Sequence, residues 1–239
     1  MKYTSKFFML VGFSAVSSLV LAQSGAEEQV KKALEKASKA EKLPQSAAVV
    51  VFGEKEAVVL ADNPRWVIKG KLFDMWQNKE INGPLALRDA DKRIPINKIK
   101  VNTKDVIEAR VRPEKELIVT VFLDPFMGNS SEVVRVLNTY ATDYQVRYIY
   151  TSMSQANIQP FLSFSCQSRV MDARDISQMI IDKNFIETSE SCRQTEAMNS
   201  FGLTQFLHIN QSPTIIAPND VYHIGLPSAL MRWLKDNEI

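Results

Sequence analysis

The feature that most constrains this chain is residues 119–137, Val-Thr-Val-Phe-Leu-Asp-Pro-Phe-Met-Gly-Asn-Ser-Ser-Glu-Val-Val-Arg-Val-Leu, where an apolar run meets a Gly-containing turn and passes into a helical pattern. Val119, Val121 and Phe122 belong to a β-branched and aromatic segment of strand length, the kind buried on both faces of a sheet. Asn129, followed three residues later by Glu132, predicts a helix N-cap with the returning carboxylate of a capping box. Val133, Val136, Leu137 and Tyr140 then recur at helical spacing. A strand, a tight loop and a helix N-terminus bring free N–H groups and the positive end of a helix dipole to the loop, which favours anions, a thiolate included.

The same stretch resembles the active-site strand, loop and helix of periplasmic DsbC/DsbG-type disulfide isomerases, in which the loop is Cys-Gly-Tyr-Cys in a thioredoxin fold. Here the four positions hold Met127, Gly128, Asn129 and Ser130, so both thiols are missing. Disulfide exchange needs a thiolate that attacks a sulfur, and neither a thioether nor an unactivated hydroxyl forms the mixed disulfide. The loop is therefore read as a degenerate active-site loop with no catalytic residue. Ser130 or Ser131 as a nucleophile would need a general base, and no G-x-S-x-G context supplies one; both are taken as first-turn helix serines. Asp124 is read as a strand-end acid without a proton-transfer role.

At 239 residues the chain has room for one large domain or two small ones, and a formal charge of +2 without a dense basic tract gives no footprint for nucleic acid. Lys2 and Lys6 precede an apolar and small-residue stretch over residues 7–21, and Val20-Leu21-Ala22 offers a cleavage site, the pattern of a secretory signal peptide. A membrane anchor competes with that assignment. The stretch falls short of the ~20 residues a spanning helix needs, and Gly12, Ser14, Ser17 and Ser18 dilute it. No Cys follows the site, so lipid attachment is unsupported, and a mature chain starting near Gln23 in an oxidising compartment, without a membrane span, is expected. Two cysteines in an exported protein imply one disulfide, Cys166 to Cys192, against the alternative of two buried thiols. The isomerases carry a structural pair in a helical insert at the matching place. Such a loop stabilises by roughly 3 kcal/mol in the chain-entropy model.

In chain order, residues 27–43 predict an amphipathic helix with Val30, Ala33, Leu34, Ala37 and Ala40 on one stripe, ended by Pro44; a free-standing coiled coil is the alternative. Val-rich runs at 47–52 and 57–60, then 66–73, separated by turn residues at 53–56 and 62–65, predict three short antiparallel strands. Residues 57–75 are similar to the β-hairpin of the isomerases' N-terminal dimerisation domain, most clearly at Ile68-Lys69-Gly70 and Phe73-Asp74. The resemblance implies a small cystatin-like antiparallel β domain that pairs with its copy. Ile94, Ile96, Ile99 and Val101 alternate like a strand, and residues 104–110 are compatible with a short linker helix. Arg112-Pro113-Glu114-Lys115 suggests a turn before the second domain.

Residues 145–150 predict a second strand, parallel to the first after a right-handed crossover. An insert at 156–200 should be mostly helical, with Val170, Ile176, Met179, Ile180 and Phe185 in its core. Residues 209–216, Ile-Asn-Gln-Ser-Pro-Thr-Ile-Ile, resemble the thioredoxin-like segment in which a cis-proline faces the active-site loop and the preceding residue binds substrate backbone; Pro213 and Ser212 take those positions. A hairpin turn at 218–220, a strand at 221–224 and a helix at 227–235 with Leu230, Met231 and Leu234 inward close the chain. His208 and His223 lack partners at metal-ligand spacing, and no cofactor is expected. The sequons at Asn129 and Asn210 are discounted because the resemblance is to bacterial proteins.

The expected organisation is a signal peptide (1–22), an N-terminal dimerisation-like domain (23–97), a linker (98–114) and a thioredoxin-like domain with a helical insert (115–239). The resemblance implies an exported, homodimeric periplasmic protein that binds unfolded or secreted polypeptide clients without thiol chemistry, as a chaperone-like or assembly factor. Two alternatives stand beside it: an accessory component of a conjugative or type IV secretion apparatus, and a thiol-disulfide interchange protein using Cys166 and Cys192.

Overall fold

The computed structural model describes residues 39–53, 57–60, 67–99, 105–186, 192 and 194–238. The signal peptide, the 27–38 part of the first helix, the turns at 54–56 and 61–66, and Val101 lie outside the described residues. The chain divides into two compact units, one ending at Asp74 and including Glu80–Arg88, the other holding Met75–Lys79 and Asp89–Ile239.

In the first unit β1 (Lys39–Lys42), β2 (Val49–Phe52), β3 (Ala57–Leu60) and β4 (Val67–Gly70) form an antiparallel sheet in chain order. The two Val-rich runs pair in the middle, Val50 against Val59 and Val51 against Val58, and Val50, Val51 and Phe52 are buried. β1 occupies residues expected to be the end of a helix. The interior strand β2 needs a neighbour on each side, and β1 supplies one; that ladder overrides the weak helix preference of Lys-Ala-Glu-Lys. Pro44 and the left-handed Gln45 (φ 54°) make the turn between them, with Ser46 N–H donating to Leu43 O.

A helix α1 (Pro84–Asp91) follows. The second unit is built on β5 (Glu108–Val111), β6 (Ile118–Leu123), β7 (Gln145–Tyr150), β8 (Thr214–Ile216) and β9 (Tyr222–Ile224), in the sheet order β9-β8-β6-β7-β5. Only β6 and β7 are parallel; every other neighbouring pair is antiparallel. Helix α2 (Ser130–Tyr140) connects the parallel pair. Helices α3 (Ile158–Gln167), α4 (Ala173–Asp182) and α5 (Gln194–Phe206) come between β7 and β8, and α6 (Leu230–Asp236) closes the chain. A β-α-β unit followed by an antiparallel hairpin and a helix, with the hairpin beside the first strand, is the thioredoxin fold, here with a helical insert and β5 added at one edge.

Alternation along β6 fills both faces of the sheet. Val119, Val121 and Leu123 join one buried cluster with Val133, Leu137 and Phe164, while Phe122 joins another with Ile149, Leu203 and Ile216. Each such side chain contributes roughly 1.5–3 kcal/mol relative to exposure.

Several expectations need correction. Ile94 and Ile96 are buried but form no strand: Pro95 between them lacks an N–H, its carbonyl accepts from Lys98 and Ile99 in a turn, and Ile94 N–H reaches Asp220 O at 2.8 Å. Where a linker helix was expected around 104–110, Glu108–Val111 is strand β5, because Ile107 and Ala109 bury against the sheet and Ala109 pairs with Tyr148. Val170 is 88% exposed, whereas Ile176, Met179 and Ile180 are buried and Phe185 packs against them. Tyr140 and Met231 face outward, at the ends of stripes whose inner members are Leu137 and Leu234.

Candidate functional site

β6 ends in Leu123, and the chain turns at Asp124-Pro125. Met127 N–H donates to Asp124 O at 3.2 Å, and Phe126 N–H donates to Asp124 Oδ1 at 3.0 Å, an Asx-type turn that the Asp-Pro pair initiates. Helix α2 then begins at Ser130. Asn129 precedes the helix, but its backbone is helical (φ −93°, ψ −2°) and its side chain accepts no cap hydrogen bond, so the expected capping box is not formed. The serines carry the junction instead. Ser130, fully buried, donates its hydroxyl to Asp124 O at 2.6 Å, and Ser131 donates to Ile180 O at 2.8 Å. Neither hydroxyl is placed as a nucleophile beside a base. Met127 is 36% exposed at the surface of the loop, with Gly128 and Asn129 exposed after it. A Cβ on Gly128 would meet nothing within 4 Å, so no close approach requires a glycine there.

The Ser212–Pro213 peptide bond is cis. It lies against the base of the loop: Asp124 N–H donates to Ser212 Oγ at 2.8 Å, and the next residue, Thr214, pairs with Phe122 at the end of β6. Gly225 N–H donates to Pro213 O at 2.7 Å and anchors the proline to the hairpin. Among the described residues, the N–H and C=O of Ser212 itself have no hydrogen-bond partner. A half-buried residue at a sheet terminus thus keeps one donor and one acceptor available to an extended chain.

A third segment, after β7, completes the rim. Met153 N–H and the Asn157 side-chain amide both donate to Asp124 Oδ2, at 2.8 and 2.9 Å. Asp124 is fully buried and accepts these bonds from neutral groups. In sequence it reads only as a strand-end acid; the signal present was an Asp-Pro pair at the end of a strand run broken only by Thr120. Phe126 faces the other way and packs on Phe185 (4.6 Å between ring centroids) and Phe164 (6.4 Å), tying the loop to the insert.

Cys166, at the end of α3, is disulfide-bonded to Cys192, with 5.2 Å between their Cα atoms. Cys192 N–H donates to Cys166 Sγ, and Ser165 Oγ donates to Cys192 O at 3.1 Å. Asn157, which touches Asp124, is nine residues before Cys166, a rise of roughly 13 Å along the helix at ~1.5 Å per residue. Ser130 and Ser212 both bond to the backbone of Asp124, at its O and its N–H, and the disulfide lies at the far end of α3.

The sequence matches no protein-family model and no curated protein. Among solved structures, the chain is similar to a disulfide interchange protein from Neisseria gonorrhoeae (18% identity, 55% of this chain and 95% of that one, TM-score 0.46). It is also similar to DsbG from Helicobacter pylori (12% identity, 81% and 99%, TM-score 0.36). A periplasmic thioredoxin-like protein from Salmonella enterica serovar Typhimurium aligns at 15% identity over 54% and 89%, with a TM-score of 0.35. The strand order by itself defines the thioredoxin fold of the second unit.

Proposed function

We propose that this chain is an exported, periplasmic thioredoxin-fold protein of the DsbC/DsbG type that binds extended polypeptide without thiol chemistry, as a chaperone-like or assembly factor. The observation that carries this reading is the bond from Asp124, at the base of the loop, to Ser212, whose backbone N–H and C=O have no partner among the described residues. The loop has no sulfur nucleophile to attack a disulfide. The Ser212 N–H and C=O supply the hydrogen bonds of strand addition, which does not depend on side-chain chemistry. Cys166 and Cys192 act as a structural staple on the insert in this reading, with a helix length between them and the loop.

Pairing of two copies through residues 57–75 belongs to the same proposal. It is supported by β4, which among the described residues has a strand neighbour on one side only and exposes Val67 and Ile68, and by the exposed Phe73 beyond it. The functional test uses reduced, carbamidomethylated α-lactalbumin, a chain that cannot refold or exchange thiols. The protein binds it and suppresses aggregation of an unfolded client, and shows no turnover in insulin reduction. Insulin reduction that persists after alkylation of free thiols, or failure to bind the unfolded chain, overturns the proposal.

A further inference from the structure

The three segments around Ser212, residues 124–131, 152–158 and 209–213, contain a single charged side chain, that of Asp124. It is fully buried, so it offers no charge to a ligand. Its three hydrogen bonds come from neutral N–H groups, Phe126, Met153 and Asn157, in two separate segments, and its own N–H holds Ser212 Oγ in the third. A buried carboxylate without a cation is costly unless every lone pair is directed to a donor, and here the donors are the segments that surround the cis-proline. We propose that Asp124 is the positioning residue of the polypeptide-binding face: its carboxylate fixes the loop and the post-β7 segment, and through its own backbone N–H the orientation of Ser212.

The ligand contacts stay with the Ser212 backbone; Asp124 acts through it. This role rests on the polypeptide-binding reading for its consequence, though the coupling between segments stands without it. Asp124→Asn keeps the shape and turns an NH2 toward a donor, which breaks at least one of the three bonds.

Two readouts separate the claims. The first is affinity for reduced, carbamidomethylated α-lactalbumin, expected to weaken at least tenfold in Asp124→Asn. It should be unchanged in Ile176→Val, a core substitution in α4 that lowers the melting temperature. The second is amide hydrogen exchange at residue 124 and at Gly225, whose N–H groups report Ser212 Oγ and Pro213 O without touching the carboxylate. Both should exchange at least tenfold faster in Asp124→Asn while the buried turns of α2 keep their protection.

Exchange changes confined to Phe126 and Met153, or unchanged affinity where the unsubstituted protein binds, overturn the positioning role. If the unsubstituted protein does not bind the probe, the functional proposal fails, and the exchange result alone decides for or against the coupling. Should Asp124→Asn not fold, Asn157→Ala withdraws one donor and is expected to accelerate the same two amides about threefold; no change there also overturns the role.

Discussion

The Ser130 oxygen is committed to holding the start of α2 against Asp124 O. Removing that hydroxyl forfeits one buried hydrogen bond. Asp124 O retains the Met127 N–H, so it is not left wholly unsatisfied. Ser130→Ala should therefore lower the unfolding free energy by about 1 kcal/mol, read as a fall in the urea midpoint with an unchanged slope. Loss of polypeptide binding is not expected, because the contacts lie on the Ser212 backbone. At this scale the sequence showed which residues sit in the loop but not how they bond. The partners of Asp124 arrive from 29 and 33 residues further on, and nothing in local spacing announces them. Asn129 misled for a related reason: the Asp124 turn delivers it in a helical conformation, where its side chain cannot reach back to the N–H groups.

Among the elements, those with a strong periodic signal were legible: the Val-rich pair β2 and β3, the buried strands β6 and β7, and helix α2. β1 and β5 were not, because each is an edge strand whose conformation is set by the neighbour it covers rather than by its own pattern. β4 is the opposite case, a readable strand with a single strand neighbour among the described residues and apolar side chains exposed, Ile68 at 71%. If β4 pairs two copies, Ile68→Lys should convert a dimer to a monomer in light scattering, since a charge at an unpaired edge opposes pairing. Polypeptide affinity per thioredoxin-like unit should stay the same. A monomeric unsubstituted protein would refute this pairing.

Among the described residues, three phenols lie in the core of the second unit, those of Tyr144, Tyr148 and Tyr150. Tyr148 and Tyr150 are fully buried and stacked at 6.0 Å, and burial raises both above the usual tyrosine value of about 10. Tyr144 is raised by burial, and then by its hydrogen bond to Glu238. A group whose native pKa is raised contributes stability that is intact below its unfolded value and lost as pH climbs above it. Stability should therefore be flat with respect to these groups up to about pH 10 and fall beyond it. Phenolate absorbance from these three should appear only together with the loss of tertiary structure, and early, independent ionisation would contradict their packing. The overall architecture was legible through the resemblance of residues 119–137 and 209–216 to the loop and proline segments of thioredoxin-like proteins. The meeting of three segments on one carboxylate emerges only when the sheet is assembled.

The central claim is that an extended polypeptide binds where the loop meets cis-Pro213. It is tested most directly by titrating the isotopically labelled protein with reduced, carbamidomethylated α-lactalbumin and mapping amide shifts by NMR. The account predicts perturbations concentrated at residues 126–130, 153–158 and 211–214, with Ser212 among the largest. Shifts confined to β4 or to the helical insert, with those three segments unmoved, would contradict it.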